Sequence, residues 1–108
     1  MDEPIVSASD EALVGRARDG ERDAFAELVR RHQDAVFRLV KRVGRLDAHR
    51  AEDLAQDTFV RAFGKLKLFR QDSSLATWLH AITSSVVLNG LKKVRRIRGR
   101  EEIGRAHV

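Results

Sequence analysis

Apolar residues recur along this chain at helical spacing, and no stretch alternates apolar and polar residues for long enough to suggest a sheet. The longest helical pattern begins near Glu21 and ends before Gly44. In it Phe25, Leu28, Val29, Val36, Leu39, Val40 and Val43 share one stripe, and Arg30, Arg31, Arg38, Lys41 and Arg42 occupy much of the rest. A shorter helix is predicted from Glu11 to Arg18, with Ser9 or Asp10 as N-cap and Asp19-Gly20 as stop. A third opens after Asp47 and runs through Leu54, Phe59, Val60 and Phe63 to Gly64. Its apolar residues point in more than one direction, which suits a helix inserted between others or one that leaves Thr58, Phe59, Val60 or Phe63 for a partner; core burial is expected for most of them.

A loop from Lys65 to Asp72 leads to a fourth helix, capped by Ser73 or Ser74 and extending to about Ile97. Its core stripe is Leu75, Trp78, Leu79, Ile82 and Val86, whereas Thr77, His80, Thr83, Ser84, Ser85 and Asn89 lie on other flanks, where small polar groups allow another surface to approach. The expected fold is all-α, a compact four-helix bundle, with a flexible segment at 1–8 and a frayed or linker-like one at 99–108.

At 108 residues with 43% hydrophobic positions, the chain suffices for one core. The absence of cysteine excludes disulfides and thiolate metal sites. No apolar run approaches the ~20 residues that span a bilayer, and Asp2 and Glu3 stand where a signal peptide is basic, so a cytoplasmic protein without membrane insertion is expected. Charge is unevenly spread. Residues 1–57 carry 10 Lys/Arg against 13 Asp/Glu, residues 58–108 carry 11 against 3, and no acidic residue occurs from Ser73 to Arg100. Lys92, Lys93, Arg95, Arg96, Arg98 and Arg100 crowd the end of that stretch, more cations than a helix cap requires, which favours a surface that meets phosphates. Catalysis is not expected. His49, Glu52 and Asp53 share one helical turn, but two or three such groups on a surface turn read as solvated side chains, and no phosphate loop, nucleophile elbow or two-histidine metal motif is present. No catalytic residue, metal or cofactor is expected.

Three segments carry a resemblance: Asp23-Ala24-Phe25-Ala26-Glu27-Leu28, then Ala51-Glu52-Asp53-Leu54-Ala55-Gln56-Asp57-Thr58-Phe59-Val60-Arg61-Ala62-Phe63, then Phe69-Arg70-Gln71-Asp72-Ser73-Ser74-Leu75-Ala76-Thr77-Trp78-Leu79. In this order and spacing the chain resembles region 2 of sigma factors of the extracytoplasmic-function type, over residues 9–98. The region 4 that such proteins carry after a linker is absent from these residues, and an excised fragment is expected.

The resemblance implies that the third helix docks on the clamp helices of the RNA polymerase β′ subunit through Asp53, Gln56, Asp57, Val60 and Arg61. Charged and amide groups at i, i+3, i+4 and i+8 form one stripe able to pair with a basic coiled coil, although by the residues alone Glu52, Asp53 and Asp57 also fit an acidic first turn that favours the helix dipole. It further implies that the loop and fourth helix recognise and melt the −10 promoter element by holding its non-template single strand. Lys65, Lys67, Phe69, Arg70, Gln71, Asp72 and Ser73 would form a base pocket, with Thr77, His80, Ser84 and Ser85 along the helix and Lys92, Lys93, Arg95 and Arg96 on phosphates. Phe69 fits either a stacking platform or an anchor in the core, while Trp78 belongs to the core stripe. An anti-sigma factor is a further partner implied by the resemblance. Competing readings are a helix-turn-helix regulator of duplex DNA, for which the loop is long, and a pure protein-interaction domain.

One departure stands out: Ser84-Ser85 occupies the place of an Arg-Asn pair usual in the family, and two short hydroxyls lack an arginine's reach to phosphate. Altered −10 preference or weaker melting is expected. The Ser84→Arg/Ser85→Asn variant should therefore change promoter choice or affinity in a promoter-binding assay, and identical behaviour would dismiss the idea.

Overall fold

The computed structural model describes residues 4–106, with side chains described as far as Lys93. Four helices follow one another, α1 (Asp10–Arg18), α2 (Arg22–Gly44), α3 (Ala48–Lys65) and α4 (Leu75–Ala106), with a single 3-10 turn at Leu66–Leu68 and no strand among the described residues. Side-chain oxygens close the helix starts that the sequence marks. Ser9 accepts from the Ala12 N–H at 3.1 Å, Asp47 from Arg50 at 2.9 Å and Ser74 from Thr77 at 3.1 Å, satisfying donors that have no partner in the first turn. α2 has no such cap; Glu21, at its N-cap, receives the Arg16 Nε at 2.8 Å instead. Gly20 (φ 99°) makes the turn between α1 and α2 in a left-handed conformation open to glycine at little cost. α4 continues past the expected end near Ile97 as far as Ala106. Gly99 costs an interior helix only about 1 kcal/mol, and the Arg and Glu that follow are good helix formers.

α2 and α4 lie side by side in the same direction, and α3 runs the opposite way against both. At one end Phe25 and Leu28 of α2 meet Phe59 and Ala62 of α3 and Leu75, Trp78 and Leu79 of α4. At the other end the backbones come close. A Cβ on Gly44 would sit 3.3 Å from Val87 and 3.0 Å from Leu46, and one on Gly90 would sit 3.5 Å from Leu54. α1 covers the first half of α2 with Leu13, Val14 and Ala17. The predicted stripes fill this core, each buried Leu, Val or Phe contributing roughly 1.5–3 kcal/mol.

Several positions differ from the sequence expectation. Val43 lies beyond the core and is exposed. Thr83, expected on an outer flank, is wholly buried because its hydroxyl donates to the Leu79 carbonyl at 2.6 Å; Thr58 is buried in the same way, donating to Leu54 at 2.9 Å. A threonine whose oxygen is satisfied within its own helix packs as a small apolar residue. Val60 is 70% exposed and Phe63 55%, Phe63 resting edge-on against Phe25 with ring centroids 4.9 Å apart.

Arg31 ties the N-terminal segment to this bundle. Its guanidinium donates to Glu27 (2.8 Å), to Asp10 (3.1 Å) and to the carbonyls of Ile5 (3.1 Å) and Val6 (3.0 Å), while Arg30 grips Glu27 through two bonds of 2.8 and 2.6 Å. Hydrogen bonds from Arg30 and then Arg31 hold the Glu27 carboxyl down to about 2, below its ordinary 4.5. A carboxylate whose pKa falls on folding stabilises the fold fully above the unfolded value and ceases to do so as pH falls through the folded one. The stability difference between the wild-type chain and Glu27→Gln should thus be constant above about pH 4.5 and shrink toward pH 2 in urea denaturation. A difference independent of pH across that window would contradict this account.

Candidate nucleic-acid interface

The segment between α3 and α4 is shaped by what it buries. Leu66 and Phe69 point into the core, the Leu66 carbonyl accepts from the Arg18 Nε at 3.0 Å and from the Phe69 N–H at 3.2 Å, and the Phe69 ring stacks on Trp78 with centroids 4.7 Å apart. Gln71 then turns the chain with a left-handed backbone (φ 60°), which costs an L-residue roughly 1–2 kcal/mol. These anchors turn Lys65, Lys67, Arg70, Gln71, Asp72 and Ser73 outward, all exposed. Of the two readings open for Phe69, the structure favours the anchor in the core. Its ring is consumed by Trp78 and the core and is not offered to a base.

From the loop, the outer face of α4 continues as a narrow strip. Thr77, His80, Ala81, Ser84 and Leu88 recur at i, i+3, i+4, i+7 and i+11 and face solvent, Ser84 only partly. The Thr77 hydroxyl accepts from Ser74 at 2.9 Å and is tied into the cap. Ser85 is exposed beside the strip, and Lys92 and Lys93 are exposed further along. The side chains of Arg95, Arg96, Arg98 and Arg100 lie outside the described residues. Among the described residues, Lys65, Lys67, Arg70, Lys92 and Lys93 have no ion-pair partner, so their charge is free to act on a ligand.

The third helix presents a separate ridge. Asp53, Gln56, Asp57, Val60 and Arg61 are all exposed on one face of it. On one side lies a groove of about 400 Å³ against α4, edged by Asp53, Asp57 and Arg61 with Asn89 and Lys93 opposite. On the other is a groove of about 360 Å³ against α2, edged by Asp34, Glu52 and Gln56. His49 reaches only to 3.8 Å from Asp53, and among the described residues no three His, Asp or Glu side chains are grouped to hold a metal ion.

Sequence reasoning passed over a third groove, of about 490 Å³, between α2 and α4. Arg38 and Arg42 of α2 border it opposite His80 of α4. In the sequence those arginines belong to the wet side of an amphipathic helix, and their spacing of four was the one available sign that they act together.

Because Phe69 holds the loop to the bundle, Phe69→Ala should destabilise the domain by about 3–5 kcal/mol in chemical denaturation, as for large buried aromatics, whereas Arg70→Ala beside it should change stability by less than about 0.5 kcal/mol. Similar small effects from both would place the ring outside the core.

Among the described residues no helix is long and apolar enough to cross a membrane. A family model, Sigma-70 region 2, matches residues 28–97. The chain is 36% identical over 87 residues to the RNA polymerase sigma-H factor of Pseudomonas aeruginosa, covering 81% of this chain and 45% of that protein. It is 38% identical over 97 residues to the ECF RNA polymerase sigma factor SigE of Mycolicibacterium smegmatis, covering 90% of this chain and 36% of that one. The chain thus spans less than half the length of these curated relatives. Its fold is similar to the NMR structure of an engineered region 2 of sigmaE in complex with GTAAAA, with a TM-score of 0.77 and 31% identity over 89% of this chain and 96% of that one. Four helices in this arrangement, the matched family model and relatives of this kind together mean that the chain belongs to the sigma-70 region 2 family and is a region 2 domain of the extracytoplasmic-function type.

Proposed function

We propose that this domain gives RNA polymerase its promoter preference by capturing the non-template single strand of the −10 element on the loop 65–73 and the outer face of α4, while the α3 ridge docks on the clamp helices of the β′ subunit. The observation that carries the reading is the continuity of the exposed loop with the α4 strip, on a fold whose solved neighbour is a complex with GTAAAA. Opening a duplex costs a few kcal/mol for each base taken from the stack, so a melting domain has to trap the released bases and hold the backbone. Arg70, Gln71, Asp72 and Ser73 provide donors and acceptors for base edges, and Lys65, Lys67, Lys92 and Lys93 provide charge for phosphates. With Phe69 and Trp78 stacked on one another, recognition here relies on hydrogen bonding by the loop more than on aromatic stacking. Arg95 and Arg96 extend the basic stretch in the same direction along the sequence.

Docking through α3 sets an acidic and amide-bearing ridge against a basic coiled coil, with Val60 contributing apolar contact. RNA synthesis is left to the polymerase, and the domain acts by binding alone. An anti-sigma factor that covered either the ridge or the loop would hold the protein silent.

Fluorescence anisotropy of labelled single-stranded and duplex −10-like DNA, with and without core polymerase, tests the reading. Strand-selective binding enhanced by core polymerase is expected, and Asp53→Lys or Asp57→Lys should weaken core association by at least about tenfold, the ~1.4 kcal/mol scale of a lost charge contact. Preference for intact duplex without polymerase would instead make the chain a duplex-reading regulator, and unaltered core binding by both variants would remove α3 from the docking surface.

A further inference from the structure

We infer that the groove between α2 and α4 is a second site for the phosphodiester backbone of the captured strand, built by Arg38 and Arg42. The inference rests on the reading that α4 holds single-stranded DNA, and adds a contact on a helix that reading does not use.

Five observations carry it. Arg38 and Arg42 are exposed, border the same groove and have no ion-pair partner among the described residues. They stand about 6 Å apart along the helix axis, comparable with the spacing of successive phosphates in an extended strand. No carboxylate lines this groove; Asp10, which meets its lining residue His32 at 2.9 Å, is also engaged by Arg31 at 3.1 Å. The groove between α2 and α3 differs in character, lined by Asp34 and Glu52 with the Lys41 ammonium 5.8 Å over its Phe37 ring, so carboxylates edge one side of α2 and arginines the other. Finally, His80 belongs both to this groove and to the exposed α4 strip. A strand lying along Thr77, His80 and Ser84 therefore reaches the α2 guanidinium groups without leaving the protein surface. That continuity favours the nucleic-acid backbone over an acidic protein segment, which would meet the same charges but has no reason to share the strip.

The groove floor is apolar, with Val36, Leu39 and Leu79 buried beneath it. The guanidinium groups at its edge would meet phosphates, so the site adds affinity with little sequence preference.

The test compares the full chain with its Arg38→Gln/Arg42→Gln and Arg38→Lys/Arg42→Lys variants. Anisotropy is measured over a range of salt concentrations on the hexamer GTAAAA and on the same hexamer extended with thymidines at its 5′ or its 3′ end, with circular dichroism to verify the fold. Wild type should bind one extended strand more tightly than the hexamer. The Gln variant should lose that gain, with a log–log salt slope lower by about 1.4 for two single-strand phosphate contacts, while its hexamer affinity stays unchanged and the Lys variant keeps most of the slope. An extended-strand gain that survives in the Gln variant overturns the site and leaves the α4 reading standing. Failure of the wild type to bind any strand defeats that reading and this inference with it. If the Gln variant loses binding only to a glutamate-rich peptide, the groove belongs to a protein partner and the inference is overturned.

Discussion

The constraint on which this domain depends is that α4 must bury one face completely while keeping the opposite face bare. Leu75, Leu79, Ile82, Thr83, Val86 and Val87 are buried, and Gly44 and Gly90 let the neighbouring backbones close on α4 from two sides. Close packing of this kind tolerates neither voids nor added bulk, so the azimuth of α4 is set firmly by its core face. The line of Thr77, His80, Ala81 and Ser84 is then displayed at a fixed orientation, with Thr77 also tied into the helix cap through Ser74. An exposed strip of small, weakly packing residues keeps its orientation because the rigidity comes from the other side of the same helix.

The loop before α4 follows the same economy. Leu66, Phe69 and the Arg18 bond to the Leu66 carbonyl hold it down, and Trp78 supplies the surface on which Phe69 stacks. The aromatic pair thereby acts as an anchor, and the exposed polar residues between the anchors are presented in a defined shape. At the other end of the molecule's first half, Arg31 performs a comparable role for the N-terminal segment, joining Ile5, Val6, Asp10 and Glu27 in one hydrogen-bonded group. The bonds formed between charged groups are stronger than neutral ones and orient what they join, which matters in a domain whose core is small.

Charge is sorted by groove. Carboxylates edge the cleft between α2 and α3, arginines and histidines edge the cleft between α2 and α4, and both signs meet between α3 and α4, where Asp53 and Asp57 stand across from Lys93. The electrostatic sign thus changes from groove to groove around one small bundle.

The number of helices, their caps and most of their core residues were legible in the residue pattern, because a 3.6-residue apolar period and a Ser or Asp at a helix start act over a few residues. The Asp53-to-Arg61 set came from the resemblance, not from the residue pattern alone, and the exposure of Val60 within it belongs to the tertiary structure. Thr83 and the pair Arg38 and Arg42 were not legible, and for Phe69 the core anchor was one of two open readings. A threonine becomes a core residue only when its hydroxyl finds the Leu79 carbonyl and a helix packs over it, and a loop phenylalanine is withdrawn from a ligand only when Trp78 lies beside it. Arginines on the wet face of α2 form a groove only because α4 aligns next to them with His80. Local periodicity determined which face of each helix is apolar; the tertiary structure decided which polar faces meet, since that depends on helix direction and close approach between segments far apart in the chain.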